Sequence, residues 1–357
     1  MAVTLKDIAE KTGVSPSVVS TVLSGRDNGT FVSENTRQKV LQVAQMLNYT
    51  PVRSGRPRGS RRLRRQRTEH FIGVWDAEYG LVSATMVQAL QTALRKHAEL
   101  NGAEAEDDFG LRLLTAEDLP RLDAIGVMGL ILLTPALLPR EAAIATIPCV
   151  MVGEVDQPPR DLVQVHGDNF SAGRQIADYL WSLGHRRIVF IAPGAYPRVT
   201  RQRFQGMQAG WLAHQADPNL IQPAQYDSIK MLSEREQIQR TVQNLFSPEL
   251  AERPSAIVCY DENVAAITAQ TLSEMGKRVP TEVSLIGFND TPRAAESLIP
   301  SLTTVSFPIN DLADCAIEQL YLMHNGDVAD EPLKRDITLP ASLVLRTSCA
   351  SPPHRNS

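Results

Sequence analysis

Cysteine and histidine are sparse in this sequence and do not cluster. The four cysteines among its 357 residues are widely separated, and none forms a Cys-x-x-Cys pair. We therefore expect reduced thiols that pack as small apolar side chains, and no disulfide framework. The seven histidines include no His-x-x-x-His pair and no Cys/His cluster, so we predict no metal site.

The motifs of common nucleotide-dependent enzymes and hydrolases are missing as well. The chain has no Gly-x-Gly-x-x-Gly, no Gly-x-x-x-x-Gly-Lys-Ser/Thr and no Gly-x-Ser-x-Gly. Neighbouring carboxylates occur at Asp107-Asp108 and Asp261-Glu262, but such pairs are more often solvated or helix-capping groups than an acid/base pair. We therefore predict that the protein is not an enzyme and needs no cofactor.

A secretion signal and a membrane span are also absent from the sequence. The amino terminus, MAVTLKDIAEKTG, lacks the apolar core of a signal peptide. No apolar run approaches the ~18 residues that are needed to cross a bilayer. We expect a cytoplasmic protein.

Charge is divided unevenly along the chain. Of its 36 Lys and Arg and 40 Asp and Glu, residues 1–70 hold 13 and 5, which leaves 23 and 35 for the rest. The basic segment includes VRSGRPRGSRRLRRQR, from residue 52, with eight arginines and no acid. This distribution predicts that the amino-terminal part binds a polyanion and that the rest does not.

The first fifty residues predict three short helices. Thr4 is placed to cap the first helix, which ends at Gly13, and Ser15 is placed to cap the second. Ser33 precedes the third helix, whose apolar residues recur at helical spacing. Two short helices joined by a glycine turn and followed by a third indicate a helix-turn-helix DNA-binding domain over residues 1–50.

From residue 71 the pattern changes to short apolar runs that alternate with longer helical segments. The runs include FIGVW, VMGLILL, RRIVFIAPG and VSLIGFND. Continuous apolar strands separated by helices are typical of parallel sheets that are covered on both faces. We predict an α/β core of two doubly wound lobes over residues 71–348, a flexible tail over 349–357, and a ligand cleft beside the carboxyl ends of the strands.

Several of these segments resemble the lactose-repressor/galactose-repressor (LacI/GalR) family of transcriptional regulators. The similar stretches are TLKDIAEKTGVSPSVVSTVLSG and VSENTRQKVLQVAQMLNYTP in the head, and SLGHRRIVFI, RVPTEVSLIGFNDTP and PSLTTVSFPINDLA in the core. The resemblance implies a hinge over residues 51–70 and a core like that of periplasmic binding proteins, whose chain crosses between the lobes near residues 167–171, 289–303 and 325–335. It also implies a nucleoid-associated homodimer that binds a two-fold DNA operator, usually as a repressor, under the control of a small-molecule effector.

The resemblance assigns DNA contacts to the second helix and its surroundings. Phosphate-contacting hydroxyls fall on Thr4, Ser15 and Ser20, and base-reading positions fall on Pro16, Ser17 and Thr21. The last base-reading position is often arginine in the family. A threonine there predicts weaker and more permissive readout, because its hydroxyl bonds to several base edges.

The Arg-rich hinge departs from the family pattern of a short helix with a leucine wedged into the minor groove. Here Gly55-Arg56-Pro57 works against a helix, because proline removes a backbone donor and disfavours helical geometry at the residue before it. Three interpretations remain open: an AT-hook-like arm in an A·T minor groove, a phosphate-binding tether, or a displaced wedge helix around residues 60–68 with Leu63 as the wedge. The arginines that we expect to contact DNA are Arg53, Arg56, Arg58, Arg61 and Arg62.

The resemblance places effector contacts at strand ends and at the first turns of helices that face the cleft. The matching positions are Asp76, Glu154, Arg201, Arg203, Asp261, Asn289 and Phe307. Arg203 keeps the family's arginine, whose planar fork suits paired hydroxyls or a carboxylate. Gly153, Asp261 and Asn289 depart from the sugar-binding pattern, so we expect a small polar metabolite, of which a sugar is one candidate.

Two rival functions fit parts of the sequence. A stand-alone solute-binding protein is opposed by the missing signal peptide and by the basic head. An architectural binder of A·T-rich DNA, with a core that no longer responds to an effector, fits the basic arm. The effector-controlled regulator and the architectural binder differ in one observable, because only an effector-responsive core is stabilised by a metabolite.

Overall fold

The protein, represented by a computed structural model, forms two compact units, Met1–Gln66 and Arg67–Ser357, called here the head and the core. The described residues are 5–16, 18–19, 22, 33–47, 71–76, 81–100, 110–122, 125–133, 147–160, 162–194, 197–226, 232–247, 253–325 and 334–353. None of the helices within these ranges has both the length and the apolar character that crossing a membrane requires.

The described part of the head contains two full helices and a helical turn between them. Helix α1 spans Leu5–Thr12, and helix α2 spans Glu34–Met46. Gly13 follows α1 with a φ of 70°, in the left-handed region that favours glycine. The carbonyl oxygen of Ser15 then accepts hydrogen bonds from the amides of the third and fourth residues after it, which closes the intervening turn.

Apolar side chains from all three head segments share one small core. The buried members are Ile8, Ala9, Val19, Val22, Val40 and Ala44. The Oγ of Ser15 accepts from the amide of Val18 at 3.4 Å, and the Oγ of Ser33 accepts from the amide of Thr36 at 3.3 Å. Both serines therefore cap the helical turns that follow them, as the sequence predicted.

The core consists of strands and helices in alternation. Its described strands are β1 Phe71–Trp75, β2 Gly110–Leu114, β3 Val127–Leu132, β4 Cys149–Val152, β5 Leu162–Gly167, β6 Ile188–Pro193, β7 Ile221–Tyr226, β8 Ala256–Cys259, β9 Ser284–Asn289, β10 Thr303–Ser306, β11 Asp336–Leu339 and β12 Ser342–Val344. Its described helices are α3 Leu81–Leu100, α4 Asn169–Ser182, α5 Pro197–Ala213, α6 Glu234–Leu245, α7 Glu262–Glu274, α8 Ala294–Ser297 and α9 Ile309–Asn325, with 3₁₀ turns at Leu119–Arg121 and Pro218–Leu220.

Two six-stranded sheets define the two lobes of the core. The first lobe has the strand order β11-β5-β4-β3-β1-β2, and all of its neighbouring strands are parallel. The second lobe has the order β12-β10-β9-β8-β6-β7, in which only the β10–β12 pair is antiparallel. The predicted α/β architecture of two doubly wound lobes is confirmed.

Sequence patterns predicted the central strands and missed the outer ones. Strands β1, β6 and β8 are buried along their whole length, and continuous apolar runs mark them. Strands β2 and β7 lie at sheet edges and expose several residues, so they show no such run. Pro223 lies within β7. Proline cannot donate a hydrogen bond to a neighbouring strand, so an edge strand tolerates it and a central strand does not.

The first predicted crossing between the lobes is confirmed, and the other two predictions are wrong. Asp168 joins β5 of the first lobe to α4, which packs in the second lobe. The second crossing is at Phe307 and Pro308, and the third is at Pro340 and Ala341. Each of these two crossings follows a strand. A proline ends the hydrogen-bonded pairing of that strand, because proline has no amide donor.

The second and third predictions were wrong because each of the two segments joins elements that belong to the same lobe. Residues 289–303 connect β9 to β10, which are neighbours in the second sheet. Residues 325–335 connect α9 to β11, and both belong to the first lobe, where α9 contributes to the hydrophobic core. The chain therefore leaves the second lobe only after β10 has paired with β9.

The ordered core extends past the predicted boundary at residue 348. The Sγ of Cys349 donates to the carbonyl oxygen of Leu285 at 3.3 Å, and the amide of Ala350 donates to the Oγ of Ser284 at 3.1 Å. These bonds fasten the end of the chain to β9, so residues 349 and 350 belong to the second lobe and not to a tail.

Helices α4 and α5 approach each other closely because glycines line their contact. A Cβ atom at Gly173 would lie closer than 3.0 Å to the carbonyl oxygen of Arg203, and one at Gly206 would overlap the carbonyl oxygen of Phe170 in the same way. A Cβ at Gly210 would lie 2.6 Å from the Cβ of Ala177. Only glycine permits this spacing, since the groups that it meets are mostly rigid backbone.

We predict that Gly173→Ala pushes α4 and α5 apart. The added methyl group would destabilise the core by about 1–3 kcal/mol, as overpacking does, and would displace the backbone of Arg203. Thermal unfolding of the full chain measures the loss. Gly110→Ala is the matched control, because a Cβ there meets no atom within 4 Å, and equal loss in both variants would contradict the prediction.

Candidate effector site between the two lobes

Most residues that the sequence assigned to an effector site lie at the carboxyl ends of parallel strands. Asp76 follows β1, Glu154 follows β4, Asp261 follows β8, Asn289 ends β9 and Phe307 follows β10. Arg201 and Arg203 lie on α5 of the second lobe. Crevices outside the carboxyl ends of strands are where open α/β sheets bind ligands.

Arg203 is the most buried cation at these strand ends, with only 4% of its surface exposed. Its Nε donates to the Oδ1 of Asn169 at 2.8 Å. Its Nη1 donates to the carbonyl oxygen of Tyr260 at 2.6 Å, and its Nη2 donates to the Oδ1 of Asn289 at 3.3 Å. The guanidinium carbon also lies 4.1 Å from the centroid of the Phe288 ring, within range of a cation–π interaction.

The charge of Arg203 has no carboxylate ion-pair partner among the described residues, because the bonds above end on neutral acceptors. Burial lowers the pKa of Arg203, yet an arginine stays protonated at neutral pH. A guanidinium has five N–H donors, of which these bonds use three. The remaining donors can bind paired hydroxyls or a carboxylate in bidentate fashion.

Asn169, for which the sequence predicted no role, joins Arg203 to the first lobe. It is buried at the start of α4, and its Oδ1 accepts the bond from Arg203. Its Nδ2 donates to the Oε1 of Glu154 at 2.8 Å. Arg203, Asn169 and Glu154 thus form a continuous polar chain from one lobe to the other. The available signal was the position of Asn169 directly after the apolar run LVQVHG and Asp168, within the predicted first crossing.

Arg198 makes a second connection between the lobes from the first turn of α5. Its Nε lies 2.9 Å from the Oε2 of Glu154, an ion pair without hydrogen-bond geometry. Its Nη1 donates to the carbonyl oxygen of Val155 at 2.7 Å, and its Nη2 donates to the Oδ2 of Asp336 at 3.0 Å. The Glu154 side chain is fully buried, so Arg198 compensates a charge that is shielded from water.

His166 and Asp336 extend this network within the first lobe. His166 Nε2 lies 2.6 Å from the Oδ1 of Asp336, and His166 Nδ1 lies 3.7 Å from the Oε2 of Glu154. Partial burial opposes ionisation of Asp336, but bonds from His166 and Arg198 outweigh it and lower the pKa of this carboxyl. A lowered pKa stabilises the fold at neutral pH, and that contribution disappears as the pH falls below about 4, through the folded-state pKa.

Arg201 lies at an exposed rim and not beside Arg203. Its guanidinium pairs with the carboxylate of Asp156 from the first lobe, and 47% of the Arg201 side chain is exposed. This bond lowers the pKa of Asp156. An exposed ion pair of this kind contributes little to stability.

Asp261 and Glu262 have separate structural roles. Asp261 caps α7 by accepting from the amide of Val264 at 2.8 Å, and burial raises its pKa. Glu262 is buried, against the expectation of a solvated side chain. It accepts from the amide of Asp290 at 2.8 Å and from the hydroxyls of Thr291 and Thr304 at 3.0 Å, which fixes the loop after β9.

Phe307 packs at the second crossing, against the hydrophobic cores of both lobes. Its ring lies over Gly167, where any Cβ would overlap it, and its centroid lies 5.6 Å from the guanidinium carbon of Arg203. Trp211, by contrast, is fully buried in the second lobe. Phe307 is therefore the aromatic side chain of the prediction that lies near Arg203.

The predicted DNA contacts are described only in part. Ser15 and Pro16 are both exposed in the head, as contact with DNA requires. The others lie outside the described residues: Thr4, Ser17, Ser20, Thr21, Arg53, Arg56, Arg58, Arg61 and Arg62.

The two units match two kinds of known domain. Residues 4–52 match the model of bacterial regulatory proteins of the lacI family, and residues 177–349 match a periplasmic binding protein-like domain. A helix-turn-helix head joined to such a core defines a DNA-binding transcriptional regulator. The chain therefore combines a lacI-family head with a periplasmic binding protein-like core.

Individual relatives align along most of the chain. The lactose operon repressor of Escherichia coli (strain K12) is 27% identical over 98% of this chain and 91% of its own length. A LacI family regulator from Enterococcus faecium, solved with bound ribose, has a TM-score of 0.65 and 21% identity over 79% of this chain and 99% of its own. The regulator CelR in complex with cellobiose has a TM-score of 0.61 and 23% identity, over 97% and 99% of the two chains.

We predict that Arg198→Gln destabilises the core by about 3 kcal/mol, because it leaves the buried charge of Glu154 uncompensated. Urea unfolding followed by tryptophan fluorescence measures this loss selectively, since all three tryptophans lie in the core. Adding Glu154→Gln to Arg198→Gln should restore much of the stability.

The control for this prediction is Arg201→Gln, which breaks the exposed pair with Asp156 and should change stability little. Equal losses for Arg198→Gln and Arg201→Gln would show that the burial of Glu154 does not matter.

Proposed function

We propose that this protein is a transcriptional repressor whose affinity for DNA is controlled by a small polar metabolite bound between the lobes. The observation that carries the proposal is Arg203, a buried cation whose bonds to neutral acceptors leave donors unused. Its chain through Asn169 to Glu154 connects the lobes, so a ligand at Arg203 acts on their relative position. Enzymatic activity has no support in this arrangement.

The surroundings of Arg203 favour an effector with several hydroxyls or a carboxylate. Arg203 supplies donors, Asp261 supplies acceptors, and the ring of Phe307 supplies an apolar face. Ribose and cellobiose in two structural neighbours have the same combination of hydroxyls and an apolar ring face. A sugar or a sugar acid therefore fits this proposal best.

The head binds DNA in this proposal, and two copies of the head bind one operator. An operator with two half-sites requires two heads, so we expect a homodimer that associates through the core. Large apolar side chains exposed on the core, such as Leu113 and Leu212, favour such association. The architectural alternative is disfavoured, because matches to transcriptional regulators, two of them solved with bound sugars, extend through the core as well as the head.

Replacing Arg203 tests the effector site. We predict that Arg203→Lys abolishes stabilisation by the effector, since an ammonium lacks the planar fork that binds two oxygens. A thermal-shift screen of sugars and sugar acids on the wild type identifies the effector, and the same ligand is then titrated into the variant.

Operator binding by Arg203→Lys without effector should match the wild type, because the change lies outside the head. Arg201→Gln is the control and should keep its response to the ligand. No stabilisation of the wild type by any compound would favour the architectural alternative, and a full response in Arg203→Lys would move the effector site elsewhere.

The arm over residues 51–70 would add sequence preference that Thr21 does not supply. If Gly55-Arg56-Pro57 lies in the minor groove, Arg56→Ala should cost about 1–3 kcal/mol on an operator with A·T base pairs at its centre. The loss should be much smaller on a G·C centre, where the groove is wider and its potential weaker. Gel-shift titrations on the two operators measure the difference.

The matched control for Arg56→Ala is Arg64→Ala, which removes a phosphate contact and should weaken both operators equally. If Leu63→Ala alone abolishes the preference for A·T, the arm contains a wedge helix and no hook.

A further inference from the structure

A cavity lies in the second lobe, away from the proposed effector site. Its volume is about 460 Å³, within the range of small-molecule sites. Arg187, Ser255 and Val283 line it, and each directly precedes a strand, β6, β8 or β9. The cavity is thus at the amino ends of these parallel strands, whereas the effector site is at their carboxyl ends. Six residues of β6 separate the two edges by roughly 20 Å.

The lining of this cavity is strongly basic. It includes the cationic side chains Arg186, Arg187, Arg253 and Lys277 and one acidic side chain, Glu282. The chain beyond residue 70 carries 23 basic against 35 acidic residues, so four bases with one acid reverse the local balance. Basic side chains that converge on a concave surface raise the local concentration of anions.

Arg186 is held in a fixed orientation at this cavity. Its guanidinium carbon lies 3.6 Å from the centroid of the Trp181 ring. Its Nη1 donates to the carbonyl oxygens of Trp181 at 3.1 Å and of His185 at 2.8 Å. These contacts use one of its nitrogens, and neither Nε nor Nη2 bonds to an acceptor among the described residues. A stacked guanidinium with open donors loses little entropy when it binds an oxyanion.

The single acid of the lining is engaged by Lys277 and Arg278 and not by Arg186. The Nζ of Lys277 donates to the Oε1 of Glu282 at 3.1 Å, and the Nε of Arg278 donates to its Oε2 at 3.2 Å. Bonds from Lys277 and Arg278 lower the pKa of Glu282, so its charge persists at neutral pH. One carboxylate is therefore shared by two cations, and Arg186 has no carboxylate partner among the described residues.

The rest of the lining is apolar and firmly supported. The apolar members are Leu220, Phe246, Pro254, Val283, Pro352 and Pro353. Beneath them, His185 Nδ1 lies 2.9 Å from the Oγ of Ser255, and His185 Nε2 lies 3.0 Å from the carbonyl oxygen of Ala350. The cavity therefore offers a basic side to an anionic group and an apolar side to an organic group.

We propose that this cavity is a second ligand site, which binds the phosphate group of a small phosphorylated molecule. Arg186 would donate its Nε and Nη2 to the phosphate oxygens, and Lys277 would add a point charge. The apolar wall would contact the organic part of the ligand. This site does not depend on the effector proposed for Arg203, since the two lie at opposite ends of the strands.

Calorimetric titration of the full chain with pyrophosphate, at constant ionic strength, tests the site. The wild type should bind, and Arg186→Gln and Lys277→Gln should each weaken binding about tenfold, as expected for losing one charge-assisted bond. Arg235→Gln is the control of equal charge change, because it lies at the start of α6 outside the lining, and it should bind like the wild type.

Further titrations distinguish a phosphorylated metabolite from free phosphate, and this cavity from the proposed effector site. Glucose 6-phosphate that binds more tightly than inorganic phosphate supports a metabolite, and the reverse order supports a free anion. Arg203→Lys should still bind pyrophosphate, so this proposal can fail independently of the proposed function. Absence of binding by the wild type at millimolar pyrophosphate, or equal losses in Arg235→Gln, would overturn the proposal.

Discussion

The burial of two opposite charges at the boundary between the lobes constrains the rest of the core. Arg203 in the second lobe and Glu154 in the first are both almost inaccessible to water, and each needs compensation. Asn169 provides it to both, since its amide oxygen accepts from Arg203 and its amide nitrogen donates to Glu154. An amide side chain is suited to this position because it is donor and acceptor at once. Any movement of one lobe relative to the other must break or stretch this chain.

The backbone around this chain is arranged to hold it. Asn169 begins α4 and Arg203 lies on α5, and glycines let these helices approach until their backbones touch. Asp168, the first crossing, caps α4 and donates its amide to the carbonyl oxygen of Leu339, just before the third crossing. Helix packing, the crossings and the polar chain therefore position one another. Arg198 adds a connection to Glu154 and Asp336 that closes one side of the cleft.

The sequence predicted the elements that have a strong local signal. Apolar runs indicated the buried strands, and the capping serines marked helix starts in the head. Arg203 was predicted because its position matches a family motif, but its partner Asn169 and the bridging Arg198 were not. Their roles depend on which side chains the fold brings together, and Asp336 reaches Arg198 from 138 residues away in sequence. The later crossings were wrong for a related reason, because only strand pairing determines which lobe β10 belongs to.

Polar contacts across the boundary hold the two lobes together. The direct measurement is the distance between spin labels at Gln91 on α3 and Asn263 on α7, which are exposed in the first and second lobes. Electron–electron double resonance on labelled chains diluted with unlabelled ones gives the distance distribution within one chain. We predict one narrow distribution for the ligand-free protein and a broader, longer one when Asn169→Ala and Arg198→Gln are combined. The same narrow distribution in both proteins would contradict the claim.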